Sequence, residues 1–403
     1  PGLRGHRLLQ DAPRGSLASC AAGAAVAAAA TSGARRRRRL LARVARAAAG
    51  ETPVFSFGVV ADVQYVDQDD AYNFSGSRLR RYRQALELWE RAVGWWREED
   101  VAFIAQLGDF VDGANRGVPG EGARALEALL RPLRGGPPAM HLVGNHELYN
   151  FSRRDLEAGI EVPGSPEPFS VAAPRAFAGG SASGGEDDAP AGRAYYSVSP
   201  GPGWRVCVLD PYEVSVLSQG GGRPGAELEV ADLDADALAL CQANNPNDVT
   251  QQDFARGLPK GPARRWVPFN GALSEAQLSW LRGTLQRAHE ADEHTVLLSH
   301  VVLHPEATPG GNGLTLLWNY EELQAVLREA PRPPVAALCG HAHLGEHAVD
   351  AATGTHHVTF ASPLEVAPGS DACAVVDAHA DGTLQVRGRG VVPHATLRLG
   401  SQR

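Results

Sequence analysis

Five short apolar runs in this chain each stop at a residue able to hold a metal ion. Val54–Ala61 leads into Asp62-Val63-Gln64, and Val101–Leu107 leads into Gly108-Asp109. Ala139–Val143 leads into Gly144-Asn145-His146-Glu147, Thr295–Ser299 into His300, and Val335–Cys339 into Gly340-His341-Ala342-His343. Near-continuous apolar runs of this kind read as strands buried on both faces. Helical patterns fall between them, at Ser77–Glu99, Ala123–Leu133, from Ser274, and at Tyr320–Glu329. Ser274 with Gln277 predicts a capping box for the third of these, with Leu278, Leu281 and Leu285 as its apolar face. Strands alternating with helices place the chain in the α/β class. In such sheets ligands gather at the carboxyl ends of strands, so the five ends are expected to converge.

The donors at those ends are carboxylate, amide and imidazole, with no thiolate. Oxygen and imidazole donors together suit Mn²⁺ or a related divalent ion, whereas a structural zinc site would show cysteines. Seven donors are too many for one ion with an open position. Two ions sharing a carboxylate, roughly 3.5–4 Å apart, fit better. Such a pair lowers the pKa of a shared water and neutralises charge developing on phosphoryl oxygens. The amide oxygen of Asn145 suits a hard cation, and His146 beside it suits proton donation to a leaving oxygen.

Each residue alone has an ordinary explanation. Asp62 and Asp109 would serve as turn formers, Asn145 as a helix cap, and His300 as a hydrogen-bonded core histidine. Their common placement after five strands outweighs those explanations. Asp112 reads as a turn or supporting residue rather than a ligand. Asp210, His141, His356 and His357 read as structural, as do His304 and His347.

The rest of the chain bounds the answer. Its 403 residues, 43% of them hydrophobic, allow one large domain or two ordinary ones. A net charge of −8 argues against a nucleic-acid-binding protein. The five cysteines are scattered without a CxxC pair, which suggests reduced thiols in an intracellular protein. No apolar run reaches the roughly 18 residues of a membrane span. Residues 1–50 are rich in Ala, Gly and Arg, with five arginines at 35–39 and one acidic residue, Asp11. They read as an organelle transit peptide, or as a disordered tail or translated non-coding sequence. Residues 163–193 read as a flexible surface insertion, and 218–262 as a cap insertion or a solvated loop.

Asp-x-Gln, Gly-Asp-x-x-Asp-Gly, Gly-Asn-His-Glu, a lone His and Gly-His-x-His occur here in that order. The series resembles the signature of the calcineurin-like metallophosphoesterases, with Gln64 in place of the more usual His. That replacement, with Ala61–Tyr65, Asn73-Phe74-Ser75-Gly76, Leu107–Gly113 and Asn145–Phe151, is similar to the manganese-dependent ADP-ribose/CDP-alcohol diphosphatase branch. Phe269-Asn270-Gly271, Trp318-Asn319-Tyr320 and Arg387–Gly390 extend the likeness, which runs from about 54 to 398.

The resemblance implies a four-layer α/β/β/α sandwich with two mixed sheets, forming one catalytic domain over 52–400. It implies that Asp62, Gln64, Asp109 and His343 hold one metal. Asp109, Asn145, His300 and His341 would hold the other, with both ions Mn²⁺. Phe74 would contact the nucleobase, or else serve as a lid or core aromatic. Arg78, Arg80 or Arg81 would meet the base or a phosphate. The implied reaction is hydrolysis of the phosphoanhydride in ADP-ribose, CDP-choline or CDP-glycerol by a metal-bridging hydroxide, with His146 at the leaving group. Another phosphoesterase activity, on cyclic nucleotides or monoesters, is the alternative, as is a non-catalytic scaffold on the same fold. The expected partner is a small nucleoside diphosphate derivative, with no nucleic acid and no membrane span. The expected state is a monomer in the cytosol, or in a chloroplast or mitochondrion if 1–50 is a transit peptide.

Overall fold

The computed structural model describes residues 52–400, apart from 74, 166, 178–191, 222–232 and 252. The Arg-rich segment, Phe74 and parts of both expected insertions therefore lie outside the described residues. Residues Pro53–Arg403 group as one compact unit.

Two six-stranded sheets carry the fold. The first runs across Ala395–Leu397 (β14), Leu384–Gly390 (β13), Ala372–Ala378 (β12), Phe55–Val60 (β1), Phe103–Gln106 (β4) and Ala139–His141 (β5). The second runs across Glu346–Val349 (β10), His356–Thr359 (β11), Ala336–Cys339 (β9), His294–Ser299 (β8), Trp204–Val208 (β7) and Tyr196–Gly201 (β6). Both are mixed. β1, β4 and β5 are parallel, as are β7, β8, β9 and β11, while β12, β13 and β14 in the first sheet and β6 and β10 in the second pair antiparallel.

Alternation along β1 shows how the layers form. Phe57, Val59 and Ala61 enter an inter-sheet core with Phe103, Val206, Val296, Leu338 and Val376. Val60 joins the outer core with Trp89 and Trp96 of the helix Tyr82–Glu99 (α1). Gly58 lets that helix approach, since a Cβ there would lie 2.5 Å from the Trp96 ring. Glu121–Leu130 (α2) joins α1 on this side. On the other sheet, Leu281 and Leu285 of Glu275–Glu290 (α6) and Leu323 and Leu327 of Tyr320–Glu329 (α7) join the outer core with Leu297 and Ala337. The result is the four-layer α/β/β/α sandwich.

Three local expectations change. The pattern from Ser77 does not start a helix, because Leu79–Arg80 (β3) pairs with Ala71–Tyr72 (β2). The Asn73 amide oxygen accepts from the Ser77 and Arg78 N–H groups and closes that turn, so α1 begins at Tyr82. The Ser274 hydroxyl accepts from Gln277 N–H as expected, but the Gln277 amide turns away to both backbone groups of Asp210. The residues after Val143 form the short helix Asn145–Asn150 (α3), where a loop was expected; Arg153–Ala158 (α4) follows it.

The insertions are less loose in their described parts than composition suggests. Phe169 and Val171 are fully buried, with Phe169 beside Phe110 and His141. Ala235–Ala243 (α5), capped by Asp234, buries Ala237 and Cys241. Among the described residues, no helix is long and apolar enough to cross a membrane.

Candidate metal centre

The five strand ends meet. Asp62, Gln64, Asp109, His341 and His343 all have a left-handed backbone, with φ between 44° and 68°. Asp100 and Asp292 are the other non-glycine residues with positive φ among those described. This region is costly for most side chains, and its concentration at one site marks a built feature. Gly108 and Gly144 let the loops close, because a Cβ at Gly108 would lie 2.5 Å from the His300 ring and one at Gly144 would collide with Asp109.

Asp109 is the hub. Its Oδ2 accepts from Gln64 Nε2 at 2.9 Å and lies 3.3 Å from His300 Nε2. Its Oδ1 accepts from the His146 backbone N–H at 2.8 Å. Donor atoms of Asp109, His300 and His341 lie within 4.8 Å of one another. Gln64 Nε2 also meets His343 Nε2 at 2.9 Å, and that nitrogen is 3.7 Å from Asp62 Oδ1. Both Asp62 oxygens accept from the His341 backbone N–H. Asn145 starts α3 beside His146, and its amide oxygen accepts from the Tyr212 hydroxyl at 3.3 Å.

Hydrogen bonds fix which ring nitrogen each histidine offers. His300 Nδ1 donates to the Leu107 carbonyl, leaving Nε2 at the centre. The Asn270 amide gives both its protons to backbone carbonyls, so its oxygen accepts from His341 Nε2. Nδ1 of His341 remains. His343 Nδ1 donates to Glu365, leaving Nε2. His146 Nδ1 accepts from the Gly113 N–H at 2.7 Å, so its proton sits on Nε2, 3.9 Å from Asp109 Oδ2.

The donor set fits cations. His300 Nε2 is buried with no hydrogen-bond partner and faces a carboxylate oxygen at 3.3 Å, a gap that a proton or a metal ion fits. Gln64 Oε1 is also buried and unpartnered, while its Nε2 donates to Asp109 and His343, as a cation would attract both. A half-turn of that amide would exchange donor for acceptor. The titrations agree. Burial pushes His300 down, but Asp109 outweighs it and raises the ring to about 9. Burial pushes Asp109 up, but His300 and His146 hold it well below the usual carboxylate range. Burial dominates at Asp62, lifting it to about 6, and keeps His146 and His341 below the usual imidazole value.

The remaining expected contacts divide. Arg78 pairs with Glu365 at 2.8 Å, and Arg80 lies between Asp112 at 3.6 Å and Glu365 at 3.8 Å. Arg81 instead spends its guanidinium on the Val366 carbonyl. Asp112 accepts from Ala114 N–H and stays outside the donor cluster. A cavity of about 620 Å³ opens beside His343, with Leu344, Val358, Phe360 and Val386 as apolar wall and Arg78 and Glu365 as polar members.

Three supporting residues had no role in the sequence reading. Glu147 accepts backbone N–H bonds from Asp109, Phe110 and Gly144. Asn270 orients His341, and Glu365 orients His343. Glu365 did leave a trace, as the one charge in the run Phe360–Val366.

Comparison with known proteins agrees with this geometry. The calcineurin-like phosphoesterase family model matches residues 55–345. The manganese-dependent ADP-ribose/CDP-alcohol diphosphatase of Xenopus tropicalis is 34% identical over 351 residues, covering 86% of this chain and 95% of that one. The human protein of the same name is 32% identical over 353 residues, covering 87% and 94%. The crystal structure of a dimetal phosphatase from Danio rerio has a TM-score of 0.70 and 32% identity, covering 86% of this chain and all of that one. With fold, strand-end donors and near full-length relatives in agreement, this chain belongs to the calcineurin-like phosphoesterase family.

Proposed function

We propose that residues 52–400 are one catalytic domain that hydrolyses the phosphoanhydride of nucleoside diphosphate derivatives. ADP-ribose would give AMP and ribose 5-phosphate; CDP-choline or CDP-glycerol would give CMP and the phosphorylated alcohol. The observation that carries this reading is the position of Asp109 Oδ2, in reach of Gln64 on one side and His300 on the other. Asp62, Gln64, Asp109 and His343 would hold one cation, and Asp109, Asn145, His300 and His341 the second. Two such ions supply an activated water and neutralise charge on the phosphoryl oxygens.

The chain's own residues supply the rest. His146 presents Nε2–H to the reacting group, and burial favours the neutral ring, so it acts as a hydrogen-bond donor to the developing charge rather than as a fixed cation. The leaving group is a phosphomonoester, which needs modest help. Arg78 and Arg80 border the site and draw in the anionic diphosphate. The apolar cavity beside His343 receives one organic arm of the substrate. Gln64 contributes an amide oxygen where an imidazole is more usual, a harder donor that favours Mn²⁺ over Zn²⁺.

The test is turnover of ADP-ribose, CDP-choline and an aryl phosphate by metal-stripped protein given Mn²⁺, Mg²⁺ or Zn²⁺, with Asn145→Ala as control. Mn²⁺-dependent anhydride cleavage, lost in the control, is the expected result. Cleavage of the monoester alone would overturn the substrate, and equal turnover with Zn²⁺ the metal. The expected state is a monomer, for which light scattering should give a single chain's mass; a multiple of that mass would refute it. An organelle address in residues 1–50 predicts that this segment carries a fused fluorescent protein to a chloroplast or mitochondrion. Cytosolic fluorescence would refute it.

A further inference from the structure

The three imidazoles of the centre are held by different partners. His300 leans on a backbone carbonyl and His341 on a neutral amide, while His343 leans on the carboxylate of Glu365 at 2.8 Å. A carboxylate behind an imidazole makes the far nitrogen a stronger donor than a neutral partner does. His343 belongs to the set that also contains Gln64, whose amide is a weaker ligand than the imidazole it replaces. The stronger support therefore stands behind the weaker set.

Glu365 is also held firmly. The Ser362 hydroxyl donates to the Asp62 carbonyl, and Ser362 N–H donates to the His343 carbonyl. The Leu364 carbonyl accepts from Arg81 N–H. This loop is tied at three points to the ligand loops and the α1 entry. The carboxylate is nearly fully buried, at 5% exposure, and it is shared. Arg78 pairs with the oxygen that His343 does not use, at 2.8 Å, and Arg80 approaches the other at 3.8 Å. Both arginines draw charge away from the imidazole side.

We propose that Glu365 is a positioning residue that sets the cation affinity of the Gln64-containing site, and that Arg78 opposes it through the same carboxylate. The inference rests on the two-cation reading above. It makes the two sites unequal: Glu365 strengthens one, and the His300–His341 site has no counterpart. Arg78 then links the phosphate-facing edge of the pocket to the affinity of a single site.

The test is calorimetric titration of the metal-stripped full chain with Mn²⁺, beside Glu365→Gln and Arg78→Ala. Glu365→Gln keeps the shape and one acceptor while removing the charge. The expected result is two binding steps in the parent chain. In Glu365→Gln one step weakens by about 10–100-fold and the other holds. In Arg78→Ala the same step tightens. The metal-free melting temperature of Glu365→Gln is read beside it, because a merely structural role would loosen the centre generally and weaken both steps together. Two unchanged steps in Glu365→Gln would overturn the inference and leave the two-cation reading standing. So would equal weakening of both steps with a fall in metal-free melting temperature. A parent chain that binds no Mn²⁺ would overturn the reading itself and the inference with it.

Discussion

Glu147 offers the sharpest test of how the centre is built. Its carboxylate accepts from Asp109 N–H at 2.8 Å, Phe110 N–H at 2.6 Å and Gly144 N–H at 2.9 Å, with Val111 N–H at 3.4 Å. These bonds tie the loop carrying Asp109 to the loop carrying Asn145 and His146. Burial and the Asp109 charge push the carboxyl up to about 7, against the pull of the N–H groups, so pH 8 keeps it ionised. Glu147→Gln is nearly isosteric, but one acceptor oxygen becomes an NH₂ that must face N–H donors. Either orientation leaves two backbone donors without a partner. At about 1–3 kcal/mol for each buried unpaired group, the variant should lose about 2–6 kcal/mol. At roughly 2 °C per kcal/mol, the lower end of the slope for 150–250 residues and the fitting value for this longer domain, that is a melting-point drop of about 4–12 °C. The assay is thermal unfolding of metal-stripped protein at pH 8, followed by Mn²⁺ titration of the folded variant. A Glu147→Gln protein that melts with the parent and binds Mn²⁺ equally would refute the claim that this carboxylate holds the loops together.

Other perturbations separate the core from the chemistry. Gly113→Ala puts a Cβ 2.9 Å from the Tyr149 ring and 3.3 Å from His146 Nδ1; kcat for ADP-ribose should fall by about tenfold or more while Mn²⁺ affinity holds. Gly58→Ala drives a methyl into the Trp96 ring and should cost about 1–3 kcal/mol in a denaturant titration without changing KM. His141 makes tilted ring contacts with both Phe110 and Phe169, and burial pushes its ring down to about 3. The folded value lies below the unfolded one, so its contribution is complete above about pH 6.5 and is lost as pH falls toward 3. His141→Phe should flatten the fall in stability between pH 6 and 4 by up to about 1.4 kcal/mol per pH unit.

Much of this arrangement was legible in the chain because the same physics writes both. A strand buried on two faces has to be apolar along its length, so β1, β4, β8 and β9 announce themselves, and so does the polar residue where each stops. Short or half-exposed strands carry no such mark. β10 alternates between partial burial and exposure, and β2 with β3 is a two-residue ribbon inside a helical pattern. The pairing that overrode that pattern came from the Asn73 side chain. Supporting residues were hidden for a different reason. Glu365 reaches His343 across 22 positions and Asn270 reaches His341 across 71, and neither has a periodic neighbour to betray it. Gln277 shows the converse, since a local capping signal was present and its side chain went instead to Asp210, 67 positions away.

The backbone at the centre carries its own argument about cations. Five residues there hold left-handed φ values that side chains other than glycine adopt at about 1–2 kcal/mol each. Asp is among the residues that tolerate this region, yet the sum still reaches roughly 5–10 kcal/mol, comparable to the whole stability of a typical domain. Backbone bonds to Asp62 and Glu147 offset part of it. Charge remains unresolved within the cluster, because Asp62 and Asp109 are buried together and His300 Nε2 faces a carboxylate without a good bond. Cations shared by these groups would relieve that repulsion in the folded chain and find no such site in the unfolded one. Stability should therefore follow metal by mass action, with about 2.7 kcal/mol gained for one site at a free Mn²⁺ concentration of 100 times its Kd. Melting curves across a Mn²⁺ series should rise with log concentration once the site fills. His300→Ala, which removes the unpartnered nitrogen, should shrink that rise. A parent protein that binds Mn²⁺ but melts at one temperature throughout the series would show that these strand ends gain nothing from the ion, and that the strain is held entirely by the surrounding hydrogen bonds.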